Sequence, residues 1–305
     1  MSSQLSRRVT TPVSVRRRAT LASHGAVVGA AVLFGSTFVP VKHAVATAGP
    51  VPFLAVRFLA GALMLWPFAR RRPARPGEVA AALRCGVPLL AGYLLQTWGL
   101  RYTTASVSAF LTYLLVVLVP VITAVTGRRL PSRPVAAGVA VCTVGLYLLT
   151  GHRFSIGLGE ALTLGCALAF AVNIIAIDRE VAVHDPVRLA AGQLAVVGAG
   201  CLVPGFFAGG YRLSAGVVGA ALYTALGASA IAFGLQVWGQ RRVGPTRTSL
   251  LLMVEPVTAA LIGWAFGDRL GPAGWAGAAL ILAGIAVAEV PAALDRTVNT
   301  GEACG

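Results

Sequence analysis

Glu255 stands directly before Pro256 inside an apolar run at about 248–266. Ionisable groups at membrane depth are costly to hold, which makes them functional candidates by default. The proline ring removes one backbone hydrogen bond, so the carbonyl of Leu252 is predicted to lack its usual partner. A carboxylate beside a freed carbonyl suits a cation or a proton, and protons or sodium are the coupling ions in view. Pairing with a neighbouring hydroxyl, or capping a kink, is the structural alternative. Lys42 and Arg57 are the cations inside apolar runs. Side by side they would attract a substrate carboxylate; apart, they would snorkel to the interface or hydrogen-bond between helices. Uncharged polar residues add a coherent set. Tyr93, Gln96 and Thr97 share one helical face at i, i+3, i+4; Ser108 and Thr112 share another, with Tyr113 beside them. Asn173, Tyr223, Ser229 and Gln236 lie on later segments. Such residues line a cavity or tie helices together. The expected substrate-binding set is Glu255, Lys42, Arg57, Tyr93, Gln96, Thr112, Tyr113 and Asn173, with no catalytic, cofactor or metal residue.

The elements that position these residues are long and apolar. Of 305 residues, 57% are hydrophobic and 11% charged, against roughly 25% charged in a soluble domain. Ten apolar segments follow, at about 24–46, 51–69, 79–99, 104–126, 134–150, 157–177, 187–208, 215–238, 248–266 and 273–290. Each approaches the roughly 20 residues that a helix needs to cross hydrocarbon. Barrel strands would be about ten residues long and would alternate. The fold class is therefore an all-α integral membrane protein in the lipid bilayer. Pro40, Pro88 and Pro120 are candidate hinges or fixed bends, and Trp98 and Trp238 candidate interface anchors.

The chain is also written twice. Leu95-Gln96-Thr97-Trp98-Gly99-Leu100-Arg101 returns 140 positions later as Leu235-Gln236-Val237-Trp238-Gly239-Gln240-Arg241. An offset of 136 aligns Phe34 with Phe170, Pro50 with Pro186 and Arg57 with Gln193. Five segments per copy put the copies in opposite orientations, the inverted five-helix repeats common among secondary transporters. The expected divisions are a tail at 1–23, repeats at 24–151 and 157–290, and a disordered tail at 291–305. With the N-terminus cytoplasmic, nineteen arginines fall in inside segments and four (Arg101, Arg153, Arg212, Arg269) outside. That bias puts both termini in the cytoplasm, and the expected location is the plasma membrane.

The net charge of +15 does not indicate nucleic acid, because the arginines lie between apolar runs rather than along one stripe. The five cysteines form no CxxC pair, and the four histidines are scattered, so neither a disulfide framework nor a zinc site is expected. No P-loop, dinucleotide fingerprint or nucleophile elbow appears. The alternative of a membrane-embedded enzyme acting on a lipid or small apolar substrate rests on His184 and Asp185 alone. The sequence leaves a homodimer open.

Phe34-Gly35-Ser36-Thr37-Phe38 through Lys42, then Arg57-Phe58-Leu59-Ala60, resembles the opening of an EamA-type repeat. Glu255-Pro256-Val257, Gly267-Asp268-Arg269-Leu270 and the run from Gly277 to Gly284 resemble its close. The resemblance is to exporters of the drug/metabolite transporter superfamily and covers residues 24 to 290. It implies ten helices in two inverted repeats and a central cavity open alternately to either side. It implies efflux of small metabolites such as amino acids, or of drugs. Many family members carry Trp at the position of Phe34, and an acid where Arg128 stands.

Overall fold

The computed structural model describes residues 13–99, 101–103, 105–127, 130–150, 157–212, 214–266, 269 and 271–301. Side chains are described within them except at 13–18, 38–39, 42–43, 105–106 and 289–301. The side chain of Lys42 therefore lies outside the described residues, as do Arg128, Gly267, Asp268 and Leu270.

Every element among the described residues is helical. The first copy holds α1 (Val13–Ser36), α2 (Phe38–Ala48), α3 (Pro50–Ala69), α4 (Glu78–Gly99), α5 (Ala105–Tyr113), α6 (Leu115–Gly127) and α7 (Arg133–Thr150). The second holds α8 (Leu158–Glu180), α9 (Pro186–Phe207), α10 (Ala215–Thr224), a π-helical turn (Ala225–Ile231), α11 (Ala232–Val243), α12 (Pro245–Leu251), α13 (Val254–Ala265) and α14 (Pro272–Gly301). Nine stretches among the described residues are long and apolar enough to span a membrane, and Pro272–Ala288 is a shorter tenth. This is a multi-pass membrane protein.

Two boundaries differ from expectation. The first helix begins at Val13, inside the expected tail, and α14 runs on to Gly301 past the expected stop at 290. Both extensions prolong an existing helix, which needs no new nucleus.

Four spans are interrupted, and each interruption has a local form. The first breaks at Thr37, whose N–H and Oγ1 both donate to the Phe34 carbonyl, at 3.1 and 2.8 Å. Pro40 denies the Ser36 carbonyl its i+4 donor, so the helix restarts as α2 rather than bending at the proline. The ninth breaks at Leu252–Met253, ahead of Pro256. Here the expectation of a freed Leu252 carbonyl fails, because the Glu255 N–H donates to it at 2.9 Å. The break tightens the chain by one residue, so an i+3 donor replaces the missing i+4 one. The fourth breaks at Leu114, the repeat mate of Val254, and not at Pro120, which sits within α6. Pro88 likewise lies inside a continuous α4. The eighth carries the π turn.

The two copies dock as repeat mates. Helix α7 packs on α14, α3 on α9, and the pairs α4·α8 and α1·α11 exchange into one another when the copies are swapped. In the first pair small residues set the spacing. A Cβ on Gly145 would lie 2.7 Å from the Gly277 carbonyl oxygen, and one on Gly138 would lie 2.5 Å from that of Gly284. Between them the Cys142 thiol reaches the Ile281 carbonyl at 3.3 Å. Rising numbers in α7 meet falling numbers in α14, so these mates run antiparallel, as inversion requires. Close approach through glycines replaces the hydrophobic drive that lipid does not supply.

Gly145→Leu should force α7 from α14 and destabilise the fold by about 1–3 kcal/mol, read as a lower apparent unfolding temperature in detergent. Gly219→Ala, whose Cβ meets nothing within 4 Å, should leave that temperature unchanged.

Candidate functional site

The charged residues of the bundle interior sit where interrupted spans cross. Tyr113 ends α5, just before the break at Leu114, and Glu255 opens α13, just after the break at Leu252–Met253. The Tyr113 hydroxyl and the Glu255 carboxyl lie within electrostatic reach of one another. Two repeat-related breaks thus bring these two side chains near one another. A carboxylate in the first turn of α13 also lies at the positive end of that helix. Gly35 of α1 makes room for this turn, since a Cβ there would stand 2.7 Å from the Glu255 carbonyl oxygen.

Arg57 of α3 is 6% exposed and lies within electrostatic reach of both Glu255 and Tyr93. Its Nε donates to Ser229 Oγ at 3.1 Å, and its guanidinium carbon stands 5.1 Å from the centre of the Phe58 ring. Ser229 lies in the π turn, a form that recurs at functional sites because the inserted residue re-aims its neighbours. One helical turn beyond Arg57, Gly61 lets α3 touch that turn; a Cβ there would come within 2.6 Å of the Ser229 Cβ. The sequence thus places a glycine and a serine so that one buried cation is held against the opposite copy.

Aromatic rings wall this charge pair. Phe58 meets Tyr93 at 4.8 Å between centroids, Tyr93 meets Phe170 at 5.3 Å, and Phe34 meets Phe233 at 5.0 Å, all edge to face. Beyond Tyr93, Gln96 Nε2 donates to Thr112 Oγ1 at 3.3 Å, and Thr112 lies 3.9 Å from the Cys166 sulfur. Glu255, Tyr93 and Gln96 are half-buried, whereas Thr112 and Tyr113 are buried.

Of the eight residues expected at a binding site, six come together here: Glu255, Arg57, Tyr93, Gln96, Thr112 and Tyr113. Asn173 does not join them. Its Nδ2 donates to the Cys85 carbonyl at 2.7 Å and to Gln193 Oε1 at 3.1 Å, tying α8 to α4 and α9. Lys42 lies outside the described side chains. Apart from Tyr93 the wall rings are absent from the expected set, and the sequence places Ser229 only among residues that line a cavity or tie helices together. The repeat aligned Phe34 with Phe170, but no spacing rule relates Phe58 to Phe233.

A separate cleft of about 260 Å³ opens between the ends of α6, α7, α11 and α12, lined among others by Thr123, Ser132, Val135, Pro245 and Arg247. It contains no carboxylate, and the charge pair lies elsewhere. His184 and Asp185, the one feature favouring an enzyme, are separately engaged. Asp185 caps α9 by accepting from the Val187 N–H at 2.9 Å, while His184 Nδ1 faces Glu180. No group of three metal-ligating side chains occurs among the described residues.

The model of the EamA-like transporter family matches residues 22–151 and 157–289. Two proteins of Archaeoglobus fulgidus, each named an uncharacterized transporter, are similar over most of the chain. One is 31% identical over 264 residues, 85% of this chain and 83% of its own. The other is 28% identical over 268 residues, 86% of this chain and 94% of its own. A solved structure described only as the crystal structure of a protein has a TM-score of 0.75 at 21% identity. It covers 90% of this chain and 96% of its own, which establishes likeness of fold.

Ser229→Ala leaves the buried Arg57 without its hydroxyl acceptor. The expected loss is about 1–3 kcal/mol, the range for stranding a buried donor, measured as a fall in apparent unfolding temperature. An unchanged temperature would mean that the guanidinium finds another acceptor.

Proposed function

We propose, from the premise that this chain belongs to the EamA-like transporter family, that it is a secondary exporter of small metabolites, amino-acid-like or drug-like, working by alternating access. The observation that carries this reading is that Tyr113 and Glu255 stand at two helix breaks, within electrostatic reach of one another, with Arg57 in reach of Glu255. Spanning helices keep their backbone bonds unless an interruption lines a protein-enclosed site. Here the interruptions coincide with the interior charges, as expected for a substrate site near the midplane between inverted repeats.

Each group has a role in that reading. Arg57 attracts a substrate carboxylate, with Ser229 holding one nitrogen so that the others face the site. Glu255 takes a substrate ammonium or the coupling ion, proton or sodium, and Tyr113 positions it. The rings of Phe58, Tyr93 and Phe170 receive the apolar part of the substrate. Gln96 and Thr112 extend the polar wall, and Lys42 contributes a second positive charge to the set. The arginine bias of the loops supports cytoplasmic termini in a plasma membrane, and the pairing of α7 with α14 leaves each copy free to rock about that seam.

The test is movement of pooled labelled amino acids and cationic drugs in proteoliposomes holding the chain, with and without an imposed pH gradient. Movement of at least one pool that responds to the gradient is expected; no movement of any pool contradicts the reading. Arg57→Gln should raise KM for a carboxylate-bearing substrate by about tenfold or more, the loss of one charge-assisted hydrogen bond, while changing KM for a substrate without a carboxylate far less.

A further inference from the structure

Five ionisable side chains close the seam between the copies at one end of the bundle. Arg188, in the first turn of α9, grips both carboxylate oxygens of Glu78 at the start of α4. Its Nη1 also donates to the carbonyls of Ala69 and Arg72 at the end of α3, at 3.1 and 3.3 Å. Arg84 of α4 holds Glu180 at the end of α8 through Nε to Oε1 at 2.6 Å and Nη2 to Oε2 at 3.1 Å. His184 Nδ1 lies 3.4 Å from Oε2 of the same carboxylate. Helices α3 and α4 belong to the first copy, α8 and α9 to the second, so both two-pronged pairs cross between copies.

The repeat provides an internal comparison. An offset of 136 relates Glu180, His184 and Arg188 to Ala44, Ala48 and Pro52, and an offset of 140 relates Glu78 and Arg84 to Val218 and Thr224. None of the five mates is ionisable. Ala44 and Ala48 instead pack with Phe53, Val217 and Ala221 in an apolar cluster, and Thr224 Oγ1 donates within its own helix. Opening an apolar seam exposes its area to water. Opening paired charges at an aqueous edge exchanges each partner for water, with little net change, yet the forked geometry restores one register on closing. The two ends of the same pseudo-symmetric body are therefore sealed by different physics.

We propose that Glu78, Arg84, Glu180, His184 and Arg188 form an ionic latch. It holds the arginine-rich end of the seam shut and parts when that end opens. The proposal rests on the alternating-access reading above, in which each end must open in turn. Beneath the latch lies a buried apolar cluster that includes Ala81, Cys85, Ile177, Val181 and Leu189. Cys85 is fully buried there, one residue from Arg84, so water reaches its thiol only if the seam parts.

The experiment measures labelling of Cys85 by a hydrophilic maleimide in the full chain held in lipid nanodiscs, with Cys142, Cys166, Cys201 and Cys304 replaced by alanine. Arg188→Gln and Arg84→Gln should each speed labelling, Arg188→Gln by about tenfold because its pair is the less exposed. The swapped pair Glu78→Arg with Arg188→Glu should return the rate towards that of the parent. Parental rates in both single variants, or a swap as fast as the singles, would overturn the latch. If Arg188→Gln does not fold, Glu78→Gln removes the same pair from the other side and is read the same way. Labelling needs no substrate, so a chain that moves no substrate sinks the transport reading without touching this result. Parental labelling in an active chain sinks the latch alone.

Discussion

A guanidinium and a carboxylate have been taken out of bulk water in the interior of a bundle that is otherwise apolar, and the surrounding architecture follows from keeping them satisfied. Arg57 and Glu255 lie within reach of one another, so their charges partly offset. Even so, removal of two ions from water costs several kcal/mol each unless hydrogen bonds and a close counter-charge compensate. Ser229 supplies a bond to the cation, the Phe58 ring gives it a face, and the Tyr113 hydroxyl stands within reach of the carboxyl. Delivering those partners needs backbone that does not run as a regular helix: a π turn for Ser229, a break after Tyr113 and a break before Glu255. The irregular segments of this chain gather where the charges are.

The same constraint separates the two copies. Packing is shared between them, because glycines at mated places in α7 and α14 set a common spacing. Chemistry is not shared. The repeat mates of Arg57, Glu255 and Ser229 are Gln193, Leu115 and Leu89. A body with two-fold packing thus carries one charge pair rather than two. The mate of Arg57 has become a structural amide, with Gln193 accepting from Asn173. The edge of the bundle repeats the pattern, with ion pairs at one end where the mated end is apolar. Symmetry accounts for the packing, and departures from it place the charges.

Much of the fold was legible because hydrophobic length and repetition are properties of sequence alone. So was most of the candidate site: a lone Glu, a lone Arg and polar residues at i, i+3, i+4 are visible inside uncharged runs. What was not legible depends on contacts between distant helices. Pro256 alone predicts a freed Leu252 carbonyl, but whether a helix bends at a proline or breaks before it depends on what packs beside it. The break at Leu114 carries no proline and is marked only by its repeat mate. Asn173 has the residue type of a binding group, yet its amide is spent on Cys85 and Gln193, which no spacing rule could reveal. The role of Ser229 depends on a π turn, and nothing in Ala225–Ile231 announces one.

The central claim is that Glu255 is the group through which an ion gradient is coupled to substrate movement. The most direct measurement compares gradient-driven accumulation with equilibrium exchange in proteoliposomes for the parent chain and Glu255→Gln. Tyr113 can hydrogen-bond either side chain, so the substitution retains shape and removes the charge. The account predicts that exchange persists while accumulation collapses to the exchange level. Accumulation by Glu255→Gln equal to that of the parent would contradict it.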